Sequence, residues 1–275
     1  MNAAKKEYYL TDIAHIARAK GMAIDAFCAD SEDEFIGINT RKDLERAGQM
    51  MKSMIVERWR DHGVQFLDAG SVFISQKSSI GKGTIIYPNV HIEGVTKLGQ
   101  GCTIFPNVRI LDSTIGDGAT IKDSTLIERS LIKKHASVGP FAHIRPGCVI
   151  GEHAKIGNFV EVKNSRIGPD TKASHLSYLG DARIGRGVNI GAGTITCNYD
   201  GYHKHVTCIE DDVFVGSDSQ LIAPVKIARG AVVGAGSTIT KDVPANALAV
   251  SRVKQTNITG WAKRRKRSRQ QKGSR

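Results

Sequence analysis

One periodicity constrains this chain more than anything else: through most of its length an aliphatic residue returns every six positions. Ile80, Ile86, Ile92, Leu98, Ile104 and Ile110 form the first run; after a slip of one residue Ile115 and Ile121 follow. The period resumes as Val138, Ile144, Ile150, Ile156 and Val162, and again as Ile209, Val215, Leu221, Ile227, Val233 and Ile239. Four residues after each aliphatic stands a small or β-branched residue, among them Thr84, Val90, Cys102, Ala142, Cys148, Val213 and Ser237. That residue lies two before the next aliphatic, so both point to one face of a short strand. The residues between, often led by glycine, form a corner. Arm, corner, arm describes a parallel β-helix, with about 18 residues in a three-sided coil. Two stacked antiparallel sheets would instead need period-two runs and hairpin turns, which are missing. The repeats run from about residue 72 to 248. One-residue slips from Val162 to Ile167 and from Leu179 to Ile184 predict tighter corners.

Composition agrees with such a fold. Glycine is abundant, at 29 of 275 residues, and aromatics are only 6%, so the core must be aliphatic and the backbone must turn often. The formal charge of +12 invites a polyanion reading. Eight of those charges, however, sit in residues 262–275, which hold no acid: Lys263, Arg264, Arg265, Lys266, Arg267, Arg269, Lys272 and Arg275. The rest of the chain carries only +4. A run of this kind is expected to be a solvated, unstructured tail, and no nucleic-acid partner is expected. Five cysteines without a CxxC pair and an opening without an apolar h-region predict a reducing, cytoplasmic setting. No apolar stretch is long enough to predict a membrane span.

The segment before the repeats differs. Thr11 is placed to cap a short helix with Ile13, Ile16 and Ala17 inward and Gly21 at its end; Met22 to Cys28 reads as one strand. Thr40 and Asp43 then signal a helix of about 41–62, ended by Gly63, with Leu44, Met51, Ile55 and Trp59 on one face. Such a segment is too small to be an independent nucleotide-binding domain and looks like the end of something longer.

The coil repeat places side chains. Arg145 and Lys163 are one coil apart and so share a corner on successive coils, where they either hold a phosphoryl group or stand as two solvated cations. One coil on, His175 and Tyr178 approach the same column, and Glu161 is placed to hold the proton of the imidazole. Ser217 and Ala235 form a second column, joined by Ala192 if residues 197–208 bulge out as a loop; this small-residue stripe suits either a thin ligand or tight corner packing. His203 and His205 in that loop have no evident third metal ligand.

The segments GNFVEVKNSRIG, SHLSYLGDARIGRGVNIGAGTITCNYDG, DDVFVGSDSQLIAPV and NALAVSRV closely resemble the acetyltransferase domain of the bacterial bifunctional UDP-N-acetylglucosamine pyrophosphorylases/glucosamine-1-phosphate N-acetyltransferases. The likeness covers nearly the whole chain, with EYYLTD and GINTR similar to the close of that family's pyrophosphorylase domain. It implies an all-β fold, a single-stranded left-handed parallel β-helix, working as a homotrimer with active sites between subunits. It implies residues 1–70 as a nucleotidyltransferase remnant with a linker helix, 71–250 as the acetyltransferase β-helix and 251–275 as a basic tail. The implied reaction moves acetyl from acetyl-CoA to glucosamine 1-phosphate, for UDP-N-acetylglucosamine, peptidoglycan and lipopolysaccharide synthesis. By the same resemblance His175 is the general base with Glu161 beside it; Arg145, Lys163, Tyr178 and Asn189 hold the sugar phosphate; Ala192, Asn198, Tyr199, Ser217, Ala235 and Arg252 line the acetyl-CoA site. Asn39 matches one magnesium ligand of the pyrophosphorylase half. The remainder of that site would precede residue 1, so this chain is expected not to make UDP-N-acetylglucosamine from UTP. The basic tail is placed to attract anionic substrates near the phosphates of CoA.

Acetyl transfer from a thioester needs no metal and no acyl-enzyme, and neither Cys197 nor Cys208 has a paired base at recognisable spacing. His203 and His205 are not called for by the family pattern. Two other classes are weighed: a non-catalytic β-helical trimer serving as scaffold or partner of a separate pyrophosphorylase, and a zinc-dependent carbonic anhydrase. The second needs three convergent histidines, a spacing that the nine histidines do not offer.

Overall fold

A computed structural model describes residues 9–29 and 35–272 of the chain. The chain divides into two compact units between Met51 and Lys52.

In the first unit, helix α1 (Asp12–Ala19) ends where Gly21 turns to φ 69° and donates its N–H to Arg18 O at 3.0 Å. Two expectations are corrected here. The side chain of Thr11 makes no capping bond, and Ile13 and Ile16 are exposed rather than inward. Met22 to Cys28 is not a strand, because among the described residues no second strand pairs with it and an unpaired strand has no ladder. Glu7 and Tyr8 of the EYYLTD segment lie outside the described residues.

Helix α2 (Arg41–Asp61) begins with a reciprocal cap: Asp43 N–H donates to Thr40 Oγ1 at 3.1 Å and Thr40 N–H to Asp43 Oδ2 at 2.9 Å. Gly63, at φ 81°, closes it. Only the latter half of its expected apolar face is buried, through Ile55, Val56 and Trp59; Leu44 and Met51 are exposed.

From Gln65 onward the chain winds as a parallel β-helix of hexapeptide repeats, consistent with the expected left-handed winding. Paired residues show the coil directly: Ile74 pairs with Ile92, Ile92 with Ile110 and Ile144 with Val162, each pair separated by one full coil. The aliphatic column is the core, and Ile86, Ile92, Ile104, Ile121, Ile144 and Ile156 have no exposed surface. At about 25 cal/mol per Å² of apolar surface, each buried isoleucine contributes roughly 1.5–3 kcal/mol, which is why so narrow a fold holds without aromatics.

Asn164 at φ 46° and Asp181 at φ 48° occupy the two corners expected from the slips, in the left-handed backbone that full-length corners such as Asn107, at φ 60°, also adopt. Asn and Asp tolerate that region better than most side chains. Other corners need glycine for room. A Cβ on Gly157 would overlap Ser174 O of the next coil. Two strands, Lys155–Lys163 and Lys172–Gly180, run unbroken through such a corner and pair along their whole length.

Ile190 pairs with Val215, farther along the chain than one coil reaches, so the bulge expected at residues 197–208 is present. The tail expectation is corrected: residues 261–272 form a helix, α3 (Trp261–Lys272), in keeping with the high helix propensity of Ala, Lys, Arg and Gln. Arg267, Arg269 and Lys272 are described only in backbone, and Arg275 lies outside the described residues.

Candidate functional site

The unbroken strands carry the residues of interest, at two corners joined by one arm. At the first corner Asn158 and His175 are register partners. Ala173 pairs with Ile190, Ile190 with Val215 and Val215 with Val233. The residue two beyond each of these is His175, Ala192, Ser217 and Ala235. The histidine therefore heads the small-residue stripe, about 4.8 Å per coil from its neighbours, a continuity that spacing alone had left as two separate columns.

The stripe is accessible: Ser217 and Ala235 are exposed and Ala192 is half-buried. The carbonyls of Ala192 and Ser217 accept the N–H groups of Asp218 and Gly236 at 2.7 and 2.8 Å, whereas among the described residues the N–H groups of Ala192, Ser217 and Ala235 take no part in the bonds between coils. Arg252 closes the far end, Nη1 donating to Ala235 O at 2.6 Å. Beside the stripe's head, Phe141 and Phe159 stack with ring centres 5.5 Å apart, and Leu176 continues that exposed apolar column.

His175 Nδ1 lies 2.6 Å from Asn158 Oδ1. An amide oxygen only accepts, so Nδ1 carries the hydrogen, and in the neutral ring the lone pair is then on Nε2. Glu161 does not hold the imidazole, which corrects the expectation. Its register partners are His143 and Tyr178, and its Oε1 instead accepts Arg145 Nη1 at 2.8 Å. That hydrogen bond and charge keep the guanidinium's pKa above its ordinary value.

Arg145 and Lys163 stack at the second corner as expected, Arg145 N–H donating to Val162 O at 2.8 Å. Gly180 is the next residue of that column, and a Cβ there would collide with Tyr178 Oη, so the phenol lies across the column's open end. A third cation joins them. Tyr199 and Lys204 form an antiparallel bridge that folds the 197–208 loop back, and Lys204 lowers the Lys163 pKa through hydrogen bonding and charge. The coil register does not extend into a bulge and so gave Lys204 no place; a lysine in the longest break of the repeats was the available signal.

The loop is held from within. Asp200 accepts the N–H groups of Tyr202 and His203 at 2.7 and 2.6 Å, and its Oδ2 lies 2.7 Å from His205 Nε2. These bonds, led by that of His203, place the carboxyl far below its ordinary pKa. His205 is thus a structural partner of Asp200, and among the described residues no three metal-binding side chains converge. Asn198 is buried and donates to Asp181, while Tyr199 is exposed with its hydroxyl on Gly201 O at 2.5 Å.

Two predicted residues stand apart. Asn189 pairs with Lys172 and Phe214 on the arm leading into the first corner. Asn39, before α2, has its N–H on Asp43 Oδ2 at 3.2 Å, and among the described residues no group of three or more metal-binding side chains is found.

Comparison with known proteins gives two family matches: the family described as "GMPPB C-terminal domain" over residues 69–178, and "Bacterial transferase hexapeptide (six repeats)" over residues 209–241. The "Bifunctional protein GlmU" of Thermodesulfovibrio yellowstonii is 57% identical over 266 residues, covering 97% of this chain and 59% of that protein. Its counterpart in Caldicellulosiruptor saccharolyticus is 51% identical over 263 residues, covering 96% and 57%. The chain thus spans less than two thirds of these relatives' length. Among solved structures, an Arabidopsis UDP-N-acetylglucosamine acyltransferase aligns at 19% identity and TM-score 0.49, over 71% of this chain and 75% of that one.

Proposed function

The chain belongs to the GlmU family, matching the C-terminal part of its members, and on that premise we propose that it transfers acetyl from acetyl-CoA to the amine of glucosamine 1-phosphate. The observation that carries the proposal is the single column from His175 to Ala235: an imidazole held through Nδ1 by Asn158, heading a strip of small side chains whose N–H groups take no part in the bonds between coils among the described residues.

In this reading acetyl-CoA lies along the strip with its thioester toward His175. The neutral amine attacks the carbonyl carbon, and Nε2 takes a proton from the nitrogen as the C–N bond forms. In this reading the Ala192 N–H donates to the oxyanion. Collapse of the tetrahedral intermediate breaks the C–S bond, and the departing thiolate recovers a proton. Asn158 acts as a positioning residue by fixing the tautomer. Arg145, Lys163 and Lys204 hold the phosphate, with Tyr178 across the end of their column, Asn189 completing the sugar site and Glu161 orienting Arg145. Asn198, Tyr199 and Arg252 complete the CoA site, Asn198 by shaping the loop rather than through its side-chain amide.

The clamp and the base lie at opposite ends of one arm, from Asn158 to Lys163, about 16 Å of extended chain. The exposed Phe141, Phe159 and Leu176 beside the base also ask for cover. Both points support a homotrimer in which the clamp of one copy faces the strip of the next. The setting is cytoplasmic, and the product feeds synthesis of UDP-N-acetylglucosamine. Among the described residues no helix is long and apolar enough to cross a membrane.

The test is release of free thiol from acetyl-CoA, dependent on glucosamine 1-phosphate, together with stabilisation of the chain by CoA on melting. Thiol release without the sugar phosphate would sink the substrate assignment. Neither release nor stabilisation would favour the scaffold reading.

A further inference from the structure

The third face of the β-helix carries a feature that acetyl transfer does not use. Its outward column runs Ser79, Lys97, Thr114, Leu131 and Val149, then changes character at Arg166, Arg183, Cys208 and Lys226. Arg166 and Arg183 are direct register partners on adjacent parallel strands, about 4.8 Å apart in backbone. Like charges placed directly opposite across a sheet are unfavourable unless something neutralises them.

Elsewhere on this molecule that neutralisation is visible. Lys226, farther along the column, pairs with Glu210 at 2.7 Å, Arg229 pairs with Asp211 at 2.8 Å, and Arg145 pairs with Glu161. Arg166 and Arg183 are both exposed, and neither has an ion-pair or side-chain hydrogen-bond partner among the described residues. The nearest acid in the cleft beside them, Asp181, is already engaged: Asn164 donates to Oδ1 and Asn198 to Oδ2.

The two guanidinium groups also share a concave surface. A cleft of about 420 Å³ is lined by both arginines with Gly147, Asn164, Asp181 and Val206, the last forming its wall from the 197–208 loop. A second hollow of about 420 Å³ is lined by the same pair and reaches Cys208, Lys226 and Glu210, whose carboxylate is engaged by Lys226. The arginines are therefore common to both depressions, open to a ligand from either.

We propose that Arg166 and Arg183 form an anion subsite for a phosphate group, separate from the Arg145, Lys163 and Lys204 clamp around the corner. Register-paired arginines on adjacent strands bring two planar forks within reach of one tetrahedral dianion, whose oxygens suit Arg better than Lys. Neither guanidinium can lose its charge near neutral pH, so the site favours the dianionic over the monoanionic form of its ligand. The subsite itself does not depend on the acetyl-transfer reading; only the second site that the test counts, the Arg145, Lys163 and Lys204 clamp, rests on it.

Equilibrium binding of inorganic phosphate to the full chain at low ionic strength, followed by calorimetry, tests the proposal, with pyrophosphate as a second probe. The expected result is two sites per chain. Arg166→Gln with Arg183→Gln removes one, weakening it at least tenfold, and leaves the other; Lys163→Gln does the converse. The double Arg166→Lys, Arg183→Lys variant, which keeps charge and fold but not the forks, retains weakened binding. Unchanged melting and circular dichroism of the glutamine variants show that they remain folded. A single site per chain, lost in Lys163→Gln and untouched in the double glutamine variant, overturns the proposal. Tighter binding of pyrophosphate than phosphate at the arginine site identifies a diphosphate ligand; equal binding identifies a monophosphate.

Discussion

Between Ile80 and Lys134 two outward charges are answered by a neighbour on the next coil. Glu93 accepts Arg109 through two bonds, at 3.0 and 2.7 Å, and Asp117 takes Lys134 of the next coil at 2.8 Å. From Ile144 onward such pairs persist, at Arg145 with Glu161, Lys226 with Glu210 and Arg229 with Asp211, but the outward positions also hold cations gathered around a glycine, a histidine heading a small-residue strip, and two arginines with no acid paired to them among the described residues. The interiors of the two regions do not differ: Ile104 in one and Ile156 in the other are equally buried, at the same place in the repeat. A β-helix thus separates its two tasks by side-chain direction. The inward set fixes the coil, and the outward set is free to carry either neutral pairing or chemistry.

The largest effect should fall on one side of that divide. His175→Ala is expected to lower kcat for thiol release by about 10²–10⁴-fold, the usual range for a general base. The KM for acetyl-CoA and the melting temperature should stay near those of the parent, because the imidazole is exposed and its ring partner among the described residues is Asn158. A variant acetylating at the parent rate would remove His175 from the role.

The interior should show the opposite symmetry. Ile104→Ala and Ile156→Ala each leave a cavity in a coil without slack and should each cost about 2–5 kcal/mol by denaturant unfolding. If the two losses differ by much more than this spread, the two regions do not share one interior and the comparison fails. Cooperative unfolding is expected to be lost first at the mutated coil, since each coil touches only its neighbours.

Asn158→Ala should come next, with kcat down about tenfold and the basic imidazole tautomer no longer enforced. Its mark is a changed pH profile of kcat with little change in KM for either substrate, and Asn158→Asp should restore much of the rate, since a carboxylate also accepts from Nδ1. A structural role alone would lower melting temperature without moving the profile.

How far these features could be read from the sequence follows the same divide. Most of the inward column was legible, with the two tight corners now seen at Asn164 and Asp181, because a repeat must stack on itself; Ile127 and Ile132, which continue it between Ile121 and Val138, were passed over. Register then placed Arg145 over Lys163, and Ala192, Ser217 and Ala235 on one strip. What failed was whatever the repeat does not govern. Glu161 turned to Arg145 because outward side chains choose the nearest charge, not the expected partner. Lys204 lay in a bulge whose course is set by the Asp200 bonds. Met22 to Cys28 has strand-like composition, but a strand needs a partner that composition does not supply. The basic tail has helix-forming residues, and its charge alone suggested otherwise.

The smallest effect belongs to the paired charges of the first region. Arg109→Ala should cost under about 1 kcal/mol, as for exposed ion pairs generally, and leave thiol release untouched. Its signature is in pH rather than rate. Arg109, through its hydrogen bonds and then its charge, holds the Glu93 carboxyl below its ordinary pKa. A depressed folded-state pKa means stability present above the unfolded value and lost as pH falls through the folded one. The parent should therefore lose this small contribution on acidification below the ordinary glutamate range, and Arg109→Ala, left with only the charge of His91 beside Glu93, should lose less there, its melting curve flatter against pH over that window. Unfolding measured on both proteins from neutral pH down through the carboxylate range decides it. If the two curves stay parallel, Glu93 and Arg109 do not interact in solution, and the neutral pairing ascribed to the first region rests on geometry without energy.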